Sequence, residues 1–377
     1  MLVWDLAQNI VSPIQTFSSH SLLLLRSHPK NPDLVALGYK GGLVIVQGLK
    51  KGSNAIYKLK GHTEDIISLA WCLSSDSTDL QLSSTALDRS LRVWDVEAEK
   101  ARHTLKIPLA SKNRKAEIGQ KGRQWVVATW VPSSPGLIVC STMMGDVCMC
   151  DTNSPRSGWD FFETDEDCAG HFRCVFSLSA VGAQEKTYIV STSLDRNIIF
   201  WDVAAKKAAY CIPSFGGFPY SLSFSPIACA SLAAGSGDNT IKLWRTDCTS
   251  NPYSTVSFWQ GIRGRVMTVA WHPTKEDVIA FGTDDGKVGT VNISTKHSVV
   301  SVSHHKQTTY VVTWAQLLDL DSENKAEKTY LLSLGDGKVK VHHYPKLDKE
   351  ALDLNSSFFK EAQAKTKWTT VNFHAEL

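Results

Sequence analysis

The 377-residue chain is 43% hydrophobic and 20% charged, a composition that supports a buried core and excludes wholesale disorder. Its formal net charge of +3 argues against a cationic DNA coat, while leaving room for a local basic patch. Nine cysteines without a C-x-x-C pair fit reduced thiols rather than a metal knuckle, and no apolar run approaches the roughly 18–20 residues of a membrane span.

In chain order, MLVWDLAQN has neither the basic flank nor the apolar stretch of a signal peptide, so cytoplasm and nucleus are the expected setting. Its Trp4-Asp5 reads as the tail of a repeat. GYKGGLVIVQ (38–47) is a weak repeat copy, and GHTEDIISLAW (61–71) with STALDRSLRVWD (84–95) is a strong one. STMMGDVCMCD (141–151), STSLDRNIIFWD (191–202), GSGDNTIKLW (235–244), GTDDGKVGTVN (282–292) and SLGDGKVKVHH (333–343) continue the series. The positions equivalent to the repeat Trp are Trp4, Gln47, Trp94, Cys150, Trp201, Trp244, Val291 and His342, recurring every 43–56 residues. That period and the Gly-His … Trp-Asp signature predict an all-β, WD40-repeat β-propeller of about seven four-stranded blades plus a partial N-terminal one. His62, Ser84, Asp88 and Trp94 are expected to form the buried hydrogen-bond network that staples a blade. LDKEALDLNSSFFKEAQAK (347–365) is the first helical pattern, and 347–377 is expected to be a helical or partial-blade tail.

Strands a to d of a blade run antiparallel, so the linker into strand a and the turn from b to c open on one face. Aligning the strand-a ends (Trp71, Trp130, Ala180, Phe224, Trp271, Trp314) puts Trp125 and Phe218 where sister blades carry small aliphatic or polar residues. Tyr220 and Tyr310 fall at a position that is apolar in every blade, so core packing accounts for them equally well. Basic residues on this face are Arg123, Arg173, Arg263, Arg265 and Lys306 in linkers, with Arg89 and Arg196 in b-to-c turns, where Asp-Arg is ordinary filler. Aromatics interleaved with arginines suit single-stranded nucleic acid, since bases stack on rings and arginines meet phosphates. Peptide-binding propellers use similar surfaces, so a protein scaffold without RNA recognition is the rival reading.

Enzyme chemistry finds no support. GTDDGK (282–287) lacks phosphate-loop spacing and GFPYS is no nucleophile elbow. The adjacent pairs His304-His305 and His342-His343 point to opposite strand faces, and ETDEDC (163–168) reads as a solvated loop. No catalytic residue, metal or cofactor is expected.

PSFGGFPYSLSFS (213–225) and FWQGIRGRVMTVAWHPTKEDVIAFGTDDGKVG (258–289) resemble the family of gem-associated protein five, the WD-repeat RNA-binding subunit of the survival-of-motor-neuron (SMN) complex. Further support lies in 31–46, 60–72 and 191–202. The resemblance implies recognition of spliceosomal small nuclear RNA, through its single-stranded uridine-rich Sm site and its 7-methylguanosine cap. It implies SMN-complex partners, no DNA or membrane partner, and residence in the cytoplasm and nuclear bodies. Residue by residue, it makes Trp125 and Phe218 base- and cap-stacking aromatics, Tyr220 and Tyr310 RNA contacts, and Arg173 and Arg196 basic contacts. Arg263 stands where the family has a lysine. The family carries two tandem propellers, so the resemblance further implies a fragment from their middle. On that alignment blades within 1–213 close the first ring and those within 214–346 open the second, or continue a single ring.

Overall fold

Alternating apolar runs bounded by Gly, Asp and Asn turns fold as strands, and every named element among the described residues is a strand. The computed structural model describes residues 2–5, 10–13, 20–49, 55–72, 80–111, 125–154, 158–166, 168–183, 186–214, 216–227, 231–245, 255–318 and 327–354. Seven four-stranded antiparallel sheets span 22–59, 66–106, 128–161, 175–213, 219–258, 266–300 and 309–353, each in simple chain order. These are blades one to seven. Leu2–Asp5 pairs with Ile10–Pro13 as a separate two-stranded sheet.

The chain divides into two compact units. One, 15–213, holds blades one to four; the other takes the later blades together with residues 1–14. The N-terminal hairpin thus groups with the later blades, not with the 1–213 segment that holds it in sequence.

The repeat register is the same in each blade. Strand-a ends Trp71, Trp130, Ala180, Phe224, Trp271 and Trp314 lie opposite Leu82, Ile138, Ile189, Leu232, Ile279 and Leu331. Those residues in turn face Trp94, Cys150, Trp201, Trp244, Val291 and His342 on strand c, all buried. Burying each large apolar side chain in this column contributes roughly 1.5–3 kcal/mol. Neighbouring blades within a unit are tied by the strand-a tryptophans. Trp71 Nε1 donates to the Arg26 carbonyl at 3.2 Å, Trp130 Nε1 to that of Ala70 at 3.0 Å, and Trp314 Nε1 to that of Ala270 at 3.1 Å.

A β-bulge interrupts strand a near its start in every blade except the third, for example between Pro219 and Ser221 and between Thr309 and Val311. In the third blade strand a is only Ala128–Trp130. Both facts govern where the candidate residues point.

The described part of the expected helical or partial-blade tail, 347–354, belongs to the seventh blade. Leu352–Asp353 pairs with Val341 and Lys340 as the fourth strand, and Leu347 is buried on the way. The hydrogen-bonding edge of strand c and the apolar Leu347 draw this stretch back into the sheet. Residues 355–377, including KWTTVNFHAEL, lie outside the described residues.

Candidate nucleic-acid interface

What holds the loop end of a blade is clearest in blade two. His62 Nδ1 lies 2.9 Å from Asp88 Oδ2, His62 Nε2 lies 2.8 Å from Ser84 Oγ, and Trp94 Nε1 donates to Ser84 Oγ at 2.7 Å. The Asp88 carboxylate also accepts the backbone N–H groups of Thr63 (3.1 Å) and Ser90 (2.9 Å). One carboxylate therefore fixes both the linker before strand a and the b-to-c turn. Burial lowers the His62 pKa, against the bond to Asp88, so the imidazole stays neutral and satisfied. Burial alone would raise the Asp88 pKa, but bonds from Ser90 and His62 hold it below the ordinary carboxylate value.

Blade four repeats the arrangement with His171, Asp195 (2.8 Å), Ser191 (2.6 Å) and Trp201 (2.8 Å to Ser191). Blade seven carries a variant in which His342 replaces the tryptophan. Its buried chain runs Asp336–His305–Ser333–His342–Ser301, with links of 2.8, 2.8, 2.8 and 2.9 Å. Burial pulls the His342 pKa down to about 3, with neighbouring His305 and Lys340 adding to the effect. The sequence marked His342 as a tryptophan equivalent, but not His305 as its partner; the signal is that His305 precedes Trp314 by the nine residues that separate His62 from Trp71.

Blades five and six dispense with the histidine. In blade five Ala234 stands at the Ser84 position, so Trp244 Nε1 is buried without an acceptor. Lys242, itself buried, reaches Asp238 at 2.7 Å and the Ser214 carbonyl, while Ser214 Oγ donates to the Gly217 carbonyl. In blade six Ile262, Phe281 and Val291 fill the same column with apolar atoms.

In the unit of blades one to four, Trp125 is 41% exposed, whereas its counterparts Ile66 and Val175 are fully buried. The cause is the short strand a of blade three, which begins after Trp125 and leaves it outside the ladder. Cys174 Sγ donates a weak bond to the Trp125 carbonyl at 3.7 Å, which brings the blade-four linker against it. Arg173, the next residue back in that linker, is exposed, and its carbonyl accepts Ser193 Oγ at 3.0 Å. Arg196 is exposed on the adjoining b-to-c turn at φ 70°. Phe172, 65% exposed, precedes Arg173 and was not anticipated from sequence. Its position carries Thr63, Arg263 and Lys306 in other blades, and comparing those linkers is the signal that singles it out. Arg123 lies outside the described residues.

In the unit of later blades, the Gly216–Gly217 turn packs on the b-to-c turn of blade five. A Cβ at 217 would lie 2.6 Å from the Gly237 nitrogen, so only glycine fits there. Gly237 N–H in turn donates to the Phe218 carbonyl at 3.0 Å. Phe218 is half-buried beside Tyr220, ring centroids 6.3 Å apart at 59°. Tyr220 and Tyr310 are the extra residues of their bulges, which re-aim the side chains. Tyr220 stays half-buried, but Tyr310 is 62% exposed, so core packing does not account for it. Arg263 is exposed, and Arg265 pairs loosely with Asp284 at 3.7 Å. Trp259, in the same linker as Arg263, is a second exposed aromatic the sequence reading passed over.

Among the described residues no three His, Cys, Asp or Glu side chains converge as a metal site. A cavity of about 350 Å³ lined by Leu222, Phe224, Trp271 and Trp314 lies at the far ends of the a strands, away from these loops.

Stapled, repeated four-stranded blades define a WD-repeat β-propeller protein. A family model for the WD domain, G-beta repeat, matches residues 210–245, and one for the RIG first beta-propeller matches 14–120. Along most of its length the chain is similar to Gem-associated protein 5. Identity is 33% to the human protein over 372 residues (89% of this chain, 25% of that protein) and 33% to the mouse protein with the same coverage. Component of gems protein 5 of Dictyostelium discoideum is 24% identical, over 83% of this chain and 30% of its own. The chain thus spans between a quarter and a third of the length of these relatives. The computationally designed Ika8 protein shares the fold, with a TM-score of 0.58 at 19% identity over 88% of this chain and 86% of its own.

Proposed function

We propose that this chain is a non-enzymatic RNA-binding module that recognises spliceosomal small nuclear RNA, at a single-stranded uridine-rich site and a 7-methylguanosine cap, within SMN-complex assembly of small nuclear ribonucleoproteins. The observation that carries the reading is Trp125, exposed at a position its sister blades bury, with Arg173 and Arg196 on the adjoining loops. Stacking a base on such a ring contributes roughly 1–3 kcal/mol, and a methylated, cationic base adds cation–π attraction of roughly 0.5–2 kcal/mol. Phe218, Tyr220, Tyr310 and Arg263 supply a second aromatic and basic set on the later blades. Similarity to Gem-associated protein 5 supports the reading, and SMN-complex proteins are the partners it brings with it.

The test is titration with a short uridine-rich RNA, capped and uncapped, following tryptophan fluorescence. Quenching that favours the capped RNA is expected, with Trp125→Ala and Phe218→Ala each weakening it about tenfold or more while the β-sheet circular dichroism is unchanged. Wild-type affinity in both variants would refute the assignment. Exposed Trp259 and Val256 favour the rival reading of a peptide-binding scaffold; a folded chain that ignores RNA would select it.

A further inference from the structure

We infer that Phe172 is a further stacking platform of the loop end of blades three and four, taking an unmethylated base of single-stranded RNA next to the nucleotide held at Trp125. The inference rests on the RNA-binding reading above and adds to it a residue that neither the repeat pattern nor the resemblance assigns.

Three observations carry it. First, the backbone at Phe172 is rigid. Its N–H donates to Asp195 Oδ2 at 3.2 Å, His171 on one side is bonded to Asp195 at 2.8 Å, and the carbonyl of Arg173 on the other accepts Ser193 Oγ. The Cys174 carbonyl accepts the Leu194 N–H at 3.1 Å, so four consecutive residues are pinned to the b-to-c turn. A backbone held this way loses little further freedom when a base settles on the ring it carries. Second, the fold does not ask for a phenylalanine. Thr63 and Lys306 occupy the same place, each with its N–H on the turn aspartate at 3.1 Å, and both are exposed polar residues. An aromatic left 65% exposed there gives up most of the burial that would otherwise reward it.

Third, the acids beside it are engaged: Asp146, on the blade-three turn that packs against the Arg173 carbonyl, accepts Thr142 Oγ1 and the Ser111 N–H, each at 3.2 Å. Arg173 and Arg196 are exposed, while Asp195, next to Arg196 in the turn, has a fully buried carboxylate turned onto His171. The acidic run upstream starts at the other end of the blade: Glu163 bridges Lys207 at the beginning of strand d, and Asp165 pairs with Lys207 at 2.9 Å. The loop end therefore presents aromatic and cationic groups, which favours a polyanion with stackable bases over an acidic-rimmed protein partner. Cys174, bonded to the Trp125 carbonyl, places this linker directly beside the first aromatic.

The experiment compares the full chain with Phe172→Thr and Phe172→Tyr, using a labelled, capped, uridine-rich RNA of about ten nucleotides and, separately, 7-methylguanosine triphosphate. Threonine is the residue blade two already tolerates at this place, so the variant folds. Phe172→Thr is expected to weaken RNA binding about 5–100-fold and to leave the cap nucleotide within twofold, with Phe172→Tyr restoring the RNA affinity. Unchanged RNA affinity in Phe172→Thr, while Trp125→Ala still loses it, overturns this inference alone and returns Phe172 to a protein-facing role. A folded wild-type chain that binds neither probe overturns the RNA reading, and the inference with it.

Discussion

Arg196 occupies the left-handed position of the blade-four b-to-c turn, at φ 70°. The equivalent residue is Gly42 in blade one, Gly145 in blade three and Gly286 in blade six, all at positive φ. An arginine there is strained by roughly 1–2 kcal/mol relative to ordinary backbone, and a glycine is not, though glycine costs roughly 0.5–1 kcal/mol in unfolded-chain entropy. Arg196→Gly should therefore leave the unfolding free energy, measured by urea titration, within about 1 kcal/mol of wild type. On the proposed function the same variant weakens RNA binding several-fold. Loss of stability without loss of affinity would make Arg196 a structural residue. The turn residues were legible from Asp-Arg and Gly alone. The exposure of Trp125 and Tyr310 was only half legible, because a truncated strand and a bulge decide it, and neither leaves a mark in side-chain alternation.

Blades tolerate three solutions to one problem, the polar column between linker and turn, and the differences are testable element by element. Blade five lacks the serine acceptor, leaving Trp244 Nε1 orphaned. Ala234→Ser supplies it and should raise stability by up to about 1 kcal/mol, read as a higher urea midpoint at unchanged slope. A lower midpoint would mean that the added hydroxyl finds no acceptor of its own. In blade seven the two buried imidazoles are neutral, with the His342 pKa near 3 and that of His305 also lowered by burial. Unfolded, both take up protons near pH 6.5. The unfolded chain thus binds more protons below that pH, so their contribution is full above about 6.5 and is lost as pH falls below it, for His342 down to about 3, by up to about 1.4 kcal/mol per pH unit. His342→Phe should flatten this acid slope between pH 6.5 and 5, though it lowers stability at pH 7.5 by removing the imidazole's bonds to Ser333 and Ser301. An unchanged slope would assign the acid sensitivity to other groups, such as His272, whose pKa burial lowers to about 4.

At the scale of the whole molecule, the blade count was readable because one tryptophan-equivalent column recurs every 43–56 residues and stays buried even where Cys150, Val291 or His342 fills it. The division after residue 213 was not readable from the residues: the linker there, 214–218, is no longer than 60–65 between blades one and two of a single unit. Charge is likewise a local matter. A net charge of +3 over 377 residues gives little long-range field, so any salt dependence of RNA binding must come from arginines at the loops. Each phosphate neutralised on a single strand adds about 0.7 to the slope of log affinity against log salt. Combining Arg173→Gln with Arg196→Gly should then reduce the magnitude of that slope by about 1.4. Trp125→Ala should lower affinity at every salt concentration and leave the slope alone, because stacking releases no counterions. Parallel lines for the arginine variant would show that these arginines meet base edges rather than phosphates. A slope that falls in the tryptophan variant would show that Trp125 holds the strand in register for them.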